Sequence, residues 1–307
     1  MLQYTIRRVL LIIPTMFFVA ALTFGLAKAA PGSPFDRNPD RPPSAATLER
    51  LNRLYGLDLP VHEQFILYLG NLARLDAGAS VVSNRPVADI IGRGFPITAQ
   101  LGLQALFLAL AVALPLGVVS ALRQNTALDY GSLFVATIGT TIPSFVISLF
   151  FIYAFGVWLR WLPFVGWGTP QHMIMPTIVL ALGTAAFLMR ITRASMLEAI
   201  RQDYVRTARS KGLREQVVIV GHTLRNALIP VATIVGPAAA GLITGSFIIE
   251  SIFSVPGIGR EYIRAIVAND YPLIMATTLL YAFFIVLANL SVDLVYGVLD
   301  PRIKVGK

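Results

Sequence analysis

The chain has 307 residues, 56% of them hydrophobic and 13% charged, with no cysteine and a mean hydropathy of +0.70. A soluble domain carries about 25% charged residues; half that share excludes a soluble globule, the lack of cysteine excludes a disulfide scaffold, and the apolar content excludes intrinsic disorder. A net charge of +9 would suggest nucleic acid in a soluble protein, but in a membrane protein such an excess gathers on the cytoplasmic side.

A bilayer core of about 30 Å is spanned by roughly 20 apolar residues in a helix. Six such stretches follow one another: 9–27, 97–122, 132–158, 173–189, 228–253 and 273–298. None shows the alternation of a barrel strand. The expected fold class is therefore all-α integral membrane, with six transmembrane helices. Arg7 and Arg8 precede the first stretch, which ends at Ala27-Lys28-Ala29 like a cleavage site. Signal-peptide cores are about 7–15 residues long, so this run is expected to be an uncut first helix. The expected organisation is a first helix (1–27), an extracytoplasmic loop (28–95) and a five-helix transmembrane domain (96–307). The loop is Pro-rich at its start, with Pro31, Pro34, Pro39, Pro42 and Pro43.

With six spans both termini share a side. That side holds fourteen basic residues against five acidic ones; the other holds eleven against ten. Positive residues mark the cytoplasm, so both termini are expected inside, and no nucleic-acid partner is implied.

The equipment of an intramembrane enzyme does not assemble from the sequence. His62-Glu63 begins like a zinc-protease motif, but Ile66 stands where the second ligand belongs. His62, His172 and His222 lie on different segments without ligand spacing. There is no G-x-S-x-G elbow and no phosphate-binding G-x-x-x-x-G-K-[ST] loop. Gly257-Ile258-Gly259 lacks the strand–helix context of a nucleotide motif. No catalytic residue, metal or cofactor is expected in this chain. An ion-coupled transporter would bury ionisable groups near the midplane. Asp293 alone qualifies, at the end of the last stretch on one face with Asn289 and Tyr296, a spacing that also suits an interhelical hydrogen-bond cluster.

Two polar patterns lie within the spans. Thr137, Thr141, Ser144 and Ser148 form a stripe on the third. Gly236, Ala240, Gly241, Thr244 and Gly245 mark the fifth. Either pattern serves close helix packing or a water-lined path. Between the fourth and fifth spans, residues 190–227 carry eight basic residues against three acidic. Ala199, Asp203, Arg206 and Ser210 recur at helical spacing before Gly212, a residue suited to ending a helix. Such a basic amphipathic helix suits either anionic lipid or a soluble partner.

The chain resembles the permease subunits of binding-protein-dependent ABC importers in the dipeptide, oligopeptide and nickel branch, closest to the B-type oligopeptide permease subunits. The resemblance runs along nearly the whole chain. Its blocks are Arg7-Arg8, Ala30-Pro31-Gly32-Ser33-Pro34, Arg123-Gln124-Asn125 with Asp129-Tyr130, Pro143-Ser144-Phe145 and Arg190-Ile191-Thr192-Arg193. They continue with the run from Asp203 to Leu213, then Arg225 to Pro230, Val255-Pro256-Gly257-Ile258-Gly259 and Asp300-Pro301-Arg302. The resemblance implies a type I ABC importer permease, multi-pass in a prokaryotic cytoplasmic membrane. Its partners would be a second, C-type permease, two ATP-binding subunits that hold ATP and Mg, and an extracytoplasmic peptide-binding protein. Nickel or another small solute is the alternative cargo on the same architecture. The 190–227 loop would form a cytoplasmic coupling helix that enters a groove on the ATP-binding subunit, using Asp203, Tyr204, Arg206, Thr207, Ala208, Arg209, Lys211 and Gly212. The superfamily's Glu-Ala-Ala, three residues and Gly appear here as Arg206-Thr207-Ala208 and Gly212. Its later Leu-Pro appears as Leu224-Arg225, with the proline at Pro230. Thr137, Thr141, Ser144, Ser148 and Thr244 are candidates to line the pathway, and Glu250, Arg260 and Glu261 to meet the binding protein outside.

Overall fold

The computed structural model describes residues 2–29 and 58–299, with side chains described for 6–29 and 58–291. The blocks at 30–34 and 300–302, and the side chains of Asp293 and Tyr296, lie outside the described residues.

The first helix, α1 (Leu2–Ala29), is followed by α2 (Val61–Ala73), which lies against it through Phe17, Phe24, Phe65 and Tyr68. Then come α3 (Val87–Leu122), α4 (Ala127–Thr141) and α5 (Ser144–Phe151), the last continued by a π-helical run, Ile152–Trp158. The fourth apolar stretch sits inside a longer α6 (Pro170–Ile200), and α7 (Asp203–Ser210) follows it after a turn. A second π-helical run, Val218–Leu224, leads into α8 (Arg225–Ile243). Two short helices, α9 (Phe247–Ile252) and α10 (Ile258–Val267), precede α11 (Tyr271–Leu299).

The spine is the pair α3 and α6. The buried residues of α3 recur every three or four positions and are mostly small: Gly94, Thr98, Gly102, Ala105, Ala109, Ala113, Gly117 and Ser120. Small residues let backbones approach closely where lipid supplies no hydrophobic drive. Three of these glycines face three different elements. A Cβ on Gly117 would lie 2.6 Å from Thr192 Cβ of α6, one on Gly94 would lie 2.9 Å from the Ile258 amide of α10, and one on Gly102 would meet the Leu242 carbonyl of α8. The opposite face of α3 exposes Leu103, Phe107 and Val112. The core is accordingly a row of small clusters along the spine, such as Ala113, Ala136, Leu188 and Val231.

Among the described residues five helices are long and apolar enough to cross a membrane, and six if the bent pair α4–α5 counts as one span. The single straight helix expected over 132–158 is broken. α4 and α5 meet at 105° around Ile142 and Pro143. Pro143 has no N–H to donate and disfavours a helical conformation at the residue before it, and Ile142 is extended at φ −81°, ψ 126°. The stretch expected over 228–253 also breaks, at Gly245 (φ +81°) and the extended Ser246. The structure adds α2 and α10, which no apolar stretch announced, and starts α3 ten residues earlier than the hydropathy does.

Candidate coupling surface and central cavity

At one end of the bundle α6 terminates, the chain turns at Arg201 and Gln202, and α7 begins. The turn separates Ala199, on α6, from the helix of 203–210, so the helical spacing read from Ala199 to Ser210 is shared between two helices. α7 is held by two apolar contacts, Val205 and Ala208, which pack on Val218. Ala208 is thus a seat rather than an outward contact. Asp203, Tyr204, Arg206, Thr207, Arg209, Lys211 and Gly212 are exposed. Lys211 caps the helix, and Gly212 takes φ +72°, the left-handed conformation glycine adopts without strain. Arg206 lies 3.5 Å from Asp203. Arg209 donates to both oxygens of Glu215, at 2.7 and 3.2 Å, which raises its already high pKa and fixes the turn after α7. The basic groups are therefore partly engaged within the chain, whereas Lys211 projects free of any ion pair among the described residues.

Above α7 the same end is fastened by a buried ion pair. Arg193 of α6 donates Nε and Nη2 to the two oxygens of Asp129 at 2.6 and 2.8 Å. Ser120 Oγ of α3 and the Asn125 amide donate to the same carboxylate. One turn earlier, Arg190 Nη2 donates to Thr140 Oγ1 of α4 at 2.6 Å. The helix that ends at α7 thus grips α4 at two points.

Both helix breaks open into one cavity of about 580 Å³. Thr140, Pro143 and Ser144 line it from the first break and Gly241 and Ser246 from the second; Gly183 and Thr184 of α6 lie between them. Its polar lining is hydroxyl and backbone, and no charged side chain stands among the lining residues. Of the pathway candidates, Ser144 lines this cavity. Thr137 and Thr141 are exposed elsewhere, and the Thr137 hydroxyl donates to the Leu133 carbonyl. Ser148 is buried and donates to the Ser144 carbonyl; Thr244 is buried and donates to the Ala240 carbonyl. The stripe assumed an unbroken helix, and the 105° bend ends its register. Thr140, Thr184 and Ser246 were missed; Pro143 and the Gly245-Ser246 pair were the signals that a break brings such residues together.

At the opposite end, α10 presents Arg260 and Glu261, half-buried, with Glu261 paired to Arg264 at 3.1 Å. Glu250 does not belong to that surface. Its side chain is fully buried in α9, which corrects its assignment as a contact residue.

A family model described as "Binding-protein-dependent transport system inner membrane component" matches residues 113–305. A second, "Binding-prot-dependent transport system membrane comp, N-term", matches residues 1–102. The chain is 42% identical over 308 residues to the dipeptide transport system permease protein DppB of Bacillus subtilis (strain 168), covering 100% of this chain and 99% of that one. It is 39% identical over 307 residues to the oligopeptide transport system permease protein OppB of Escherichia coli (strain K12), with 99% and 100% coverage. A chain of the MetNI methionine ABC transporter in inward-facing conformations shares the fold, with TM-score 0.54 and 16% identity over 69% of this chain and 96% of that one. The chain therefore belongs to the binding-protein-dependent transport system inner membrane components, as a multi-pass, non-catalytic permease of a bacterial ABC importer.

Proposed function

We propose that this permease imports peptides and forms half of their route through the membrane, with both termini cytoplasmic, residues 96–307 as the transporting core and a second permease completing the path. The observation that carries the coupling part is α7, a short polar helix seated by two apolar residues and ended by Gly212 at φ +72°. It docks on an ATP-binding subunit. ATP-driven closure of those subunits moves α7, and α6 carries the motion to α4 through Arg193–Asp129 and Arg190–Thr140. A cavity lined by hydroxyls suits a peptide, whose backbone offers donors and acceptors throughout and is held weakly enough to leave. The relatives' names, dipeptide and oligopeptide permeases, favour the same cargo over nickel. The binding protein meets the α10 end through Arg260 and Glu261.

The test is co-purification with the neighbouring subunits, comparing wild type with an Arg206→Glu, Gly212→Asp variant. The ATP-binding subunit accompanies wild type and is lost from the variant. If none accompanies wild type, the reading fails. Uptake of labelled dipeptide against labelled nickel by the intact complex then decides the cargo.

A further inference from the structure

Three carboxylates are buried among the described residues, and two have evident company. Asp129 is met by Arg193; Asp270 receives the Ser80 hydroxyl and the Val81 and Val82 amides, which ties the 80–83 loop to the start of α11. Glu250 is different. Its Oε2 accepts a long bond, 3.3 Å, from the Arg260 amide, the Thr98 hydroxyl and the Gly259 amide also donate to the carboxyl, and its Oε1 has no partner. A buried carboxyl left in this state is unfavourable, and such groups persist where they have a task.

The chain has made room for this side chain. A Cβ on Gly245 would lie 2.5 Å from Glu250 Oε1, and one on Gly259 would lie 2.9 Å from Oε2. A Cβ on Gly257 would collide with both Oε2 and Thr98 Oγ1. Three glycines thus form the walls of the carboxyl's seat, which accounts for the Pro256-Gly257-Ile258-Gly259 sequence without any nucleotide. The Thr98 hydroxyl of α3 accepts the Ile258 amide at 2.9 Å beside it. Carboxyl and hydroxyl together meet the first turn of α10, where amides lack partners within the helix and negative charge is favoured.

The seat joins three places. Gly245 marks the break whose neighbours Ser246 and Ile249 line the cavity. Thr98 belongs to the spine. Arg260, whose amide the carboxyl holds, begins the outward surface of α10, and Tyr262 of the same helix packs on Tyr281 of α11 at 5.8 Å. We infer that Glu250 is a positioning residue: by holding the first turn of α10 from inside the bundle, it makes α9, the following turn and α10 one rigid lever between the docking surface and the mouth of the cavity. This rests on the reading of Arg260 and Glu261 as the binding-protein surface.

The experiment uses the complete importer in nanodiscs. ATPase activity is titrated with peptide-loaded binding protein, and amide hydrogen exchange is followed at residues 258–262. In Glu250→Ala the half-saturating concentration of binding protein rises at least tenfold while the maximal rate stays within twofold. Exchange at the Arg260 amide accelerates at least tenfold. Glu250→Gln keeps an acceptor oxygen in the seat and stays within twofold of wild type in every readout. If Glu250→Ala does not assemble, Glu250→Asp, which withdraws the carboxyl by one methylene, shows the same rise. A loss of maximal rate alone, an unchanged half-saturation, or a Gln variant as impaired as the Ala variant overturns the proposal. Faster exchange with unchanged half-saturation overturns the lever but leaves the contact. A wild-type complex that loaded binding protein does not stimulate overturns the docking reading, and the lever with it.

Discussion

Arg190 and Arg193 stand one turn apart on α6, and their surroundings give them different work. Arg193 closes a bidentate pair with Asp129, whose side chain is 1% exposed. Removing either partner leaves the other charge buried and unpaired, so Asp129→Ala or Arg193→Ala alone is expected to cost about 3–5 kcal/mol. The double variant should cost less than the sum of the two, by about 1–3 kcal/mol. Thermal unfolding of the purified complex, run as a double-mutant cycle, checks both; additive losses would mean that the pair does not act as a unit. Both residues were visible in the sequence, in separate blocks. Their partnership was not, because 64 positions separate them and nothing local records which carboxylate a distant guanidinium will meet. Glu250 misled for a related reason. A carboxylate beside an outer loop ordinarily faces water, and only the three glycines, once folded around it, reveal that it is enclosed.

Among the helices, hydropathy found every apolar run and was blind to its direction. A run of apolar residues scores alike whether straight or folded at 105°. Proline alone does not locate the bend, since Pro96, Pro115, Pro176, Pro230 and Pro237 lie inside continuous helices. The break at Pro143 comes with an extended Ile142, and the one at Ser246 with a left-handed Gly245. Small residues were read in the fifth span, whereas the most regular small stripe lies on α3, where every third or fourth residue meets a neighbour. That seam is predicted to be intolerant. Gly117→Ala places a methyl against Thr192 and Met189 and should destabilise by about 1–3 kcal/mol. Gly221→Ala meets nothing within 4 Å and should be neutral or stabilise by about 0.4–1 kcal/mol. Melting temperatures of the two variants, compared in one detergent, decide the matter; equal shifts would refute the close contact.

For the molecule as a whole, α7 was legible because its residues are contiguous, while the cavity was not because five helices supply it. Ser144→Leu or Thr184→Leu removes one hydroxyl from the lining without touching α7. Each should lower peptide uptake about tenfold, the equivalent of roughly 1.4 kcal/mol for one lost hydrogen bond. ATP hydrolysis stimulated by the binding protein should persist. Uptake and hydrolysis measured on the same proteoliposomes check this, and parallel loss of both would place the hydroxyls in assembly instead.

Where α4 stops at Thr141 and α5 starts at Ser144, the backbone gives up helical pairing within an apolar span. Hydrocarbon offers those groups nothing, so backbone left unpaired at this depth belongs against protein or a cavity that water can enter. A column of water is an electrical weak point in a membrane, because sodium and protons follow it down their gradients. Arg190, bonded to Thr140 at the rim of the cavity, fixes a positive charge there that no acidic residue among those described neutralises. Small cations are repelled by it, and a zwitterionic solute with no net charge is not. On the route proposed through this cavity, the bend thus comes with a fixed positive charge beside it, which disfavours a small cation relative to a solute of no net charge.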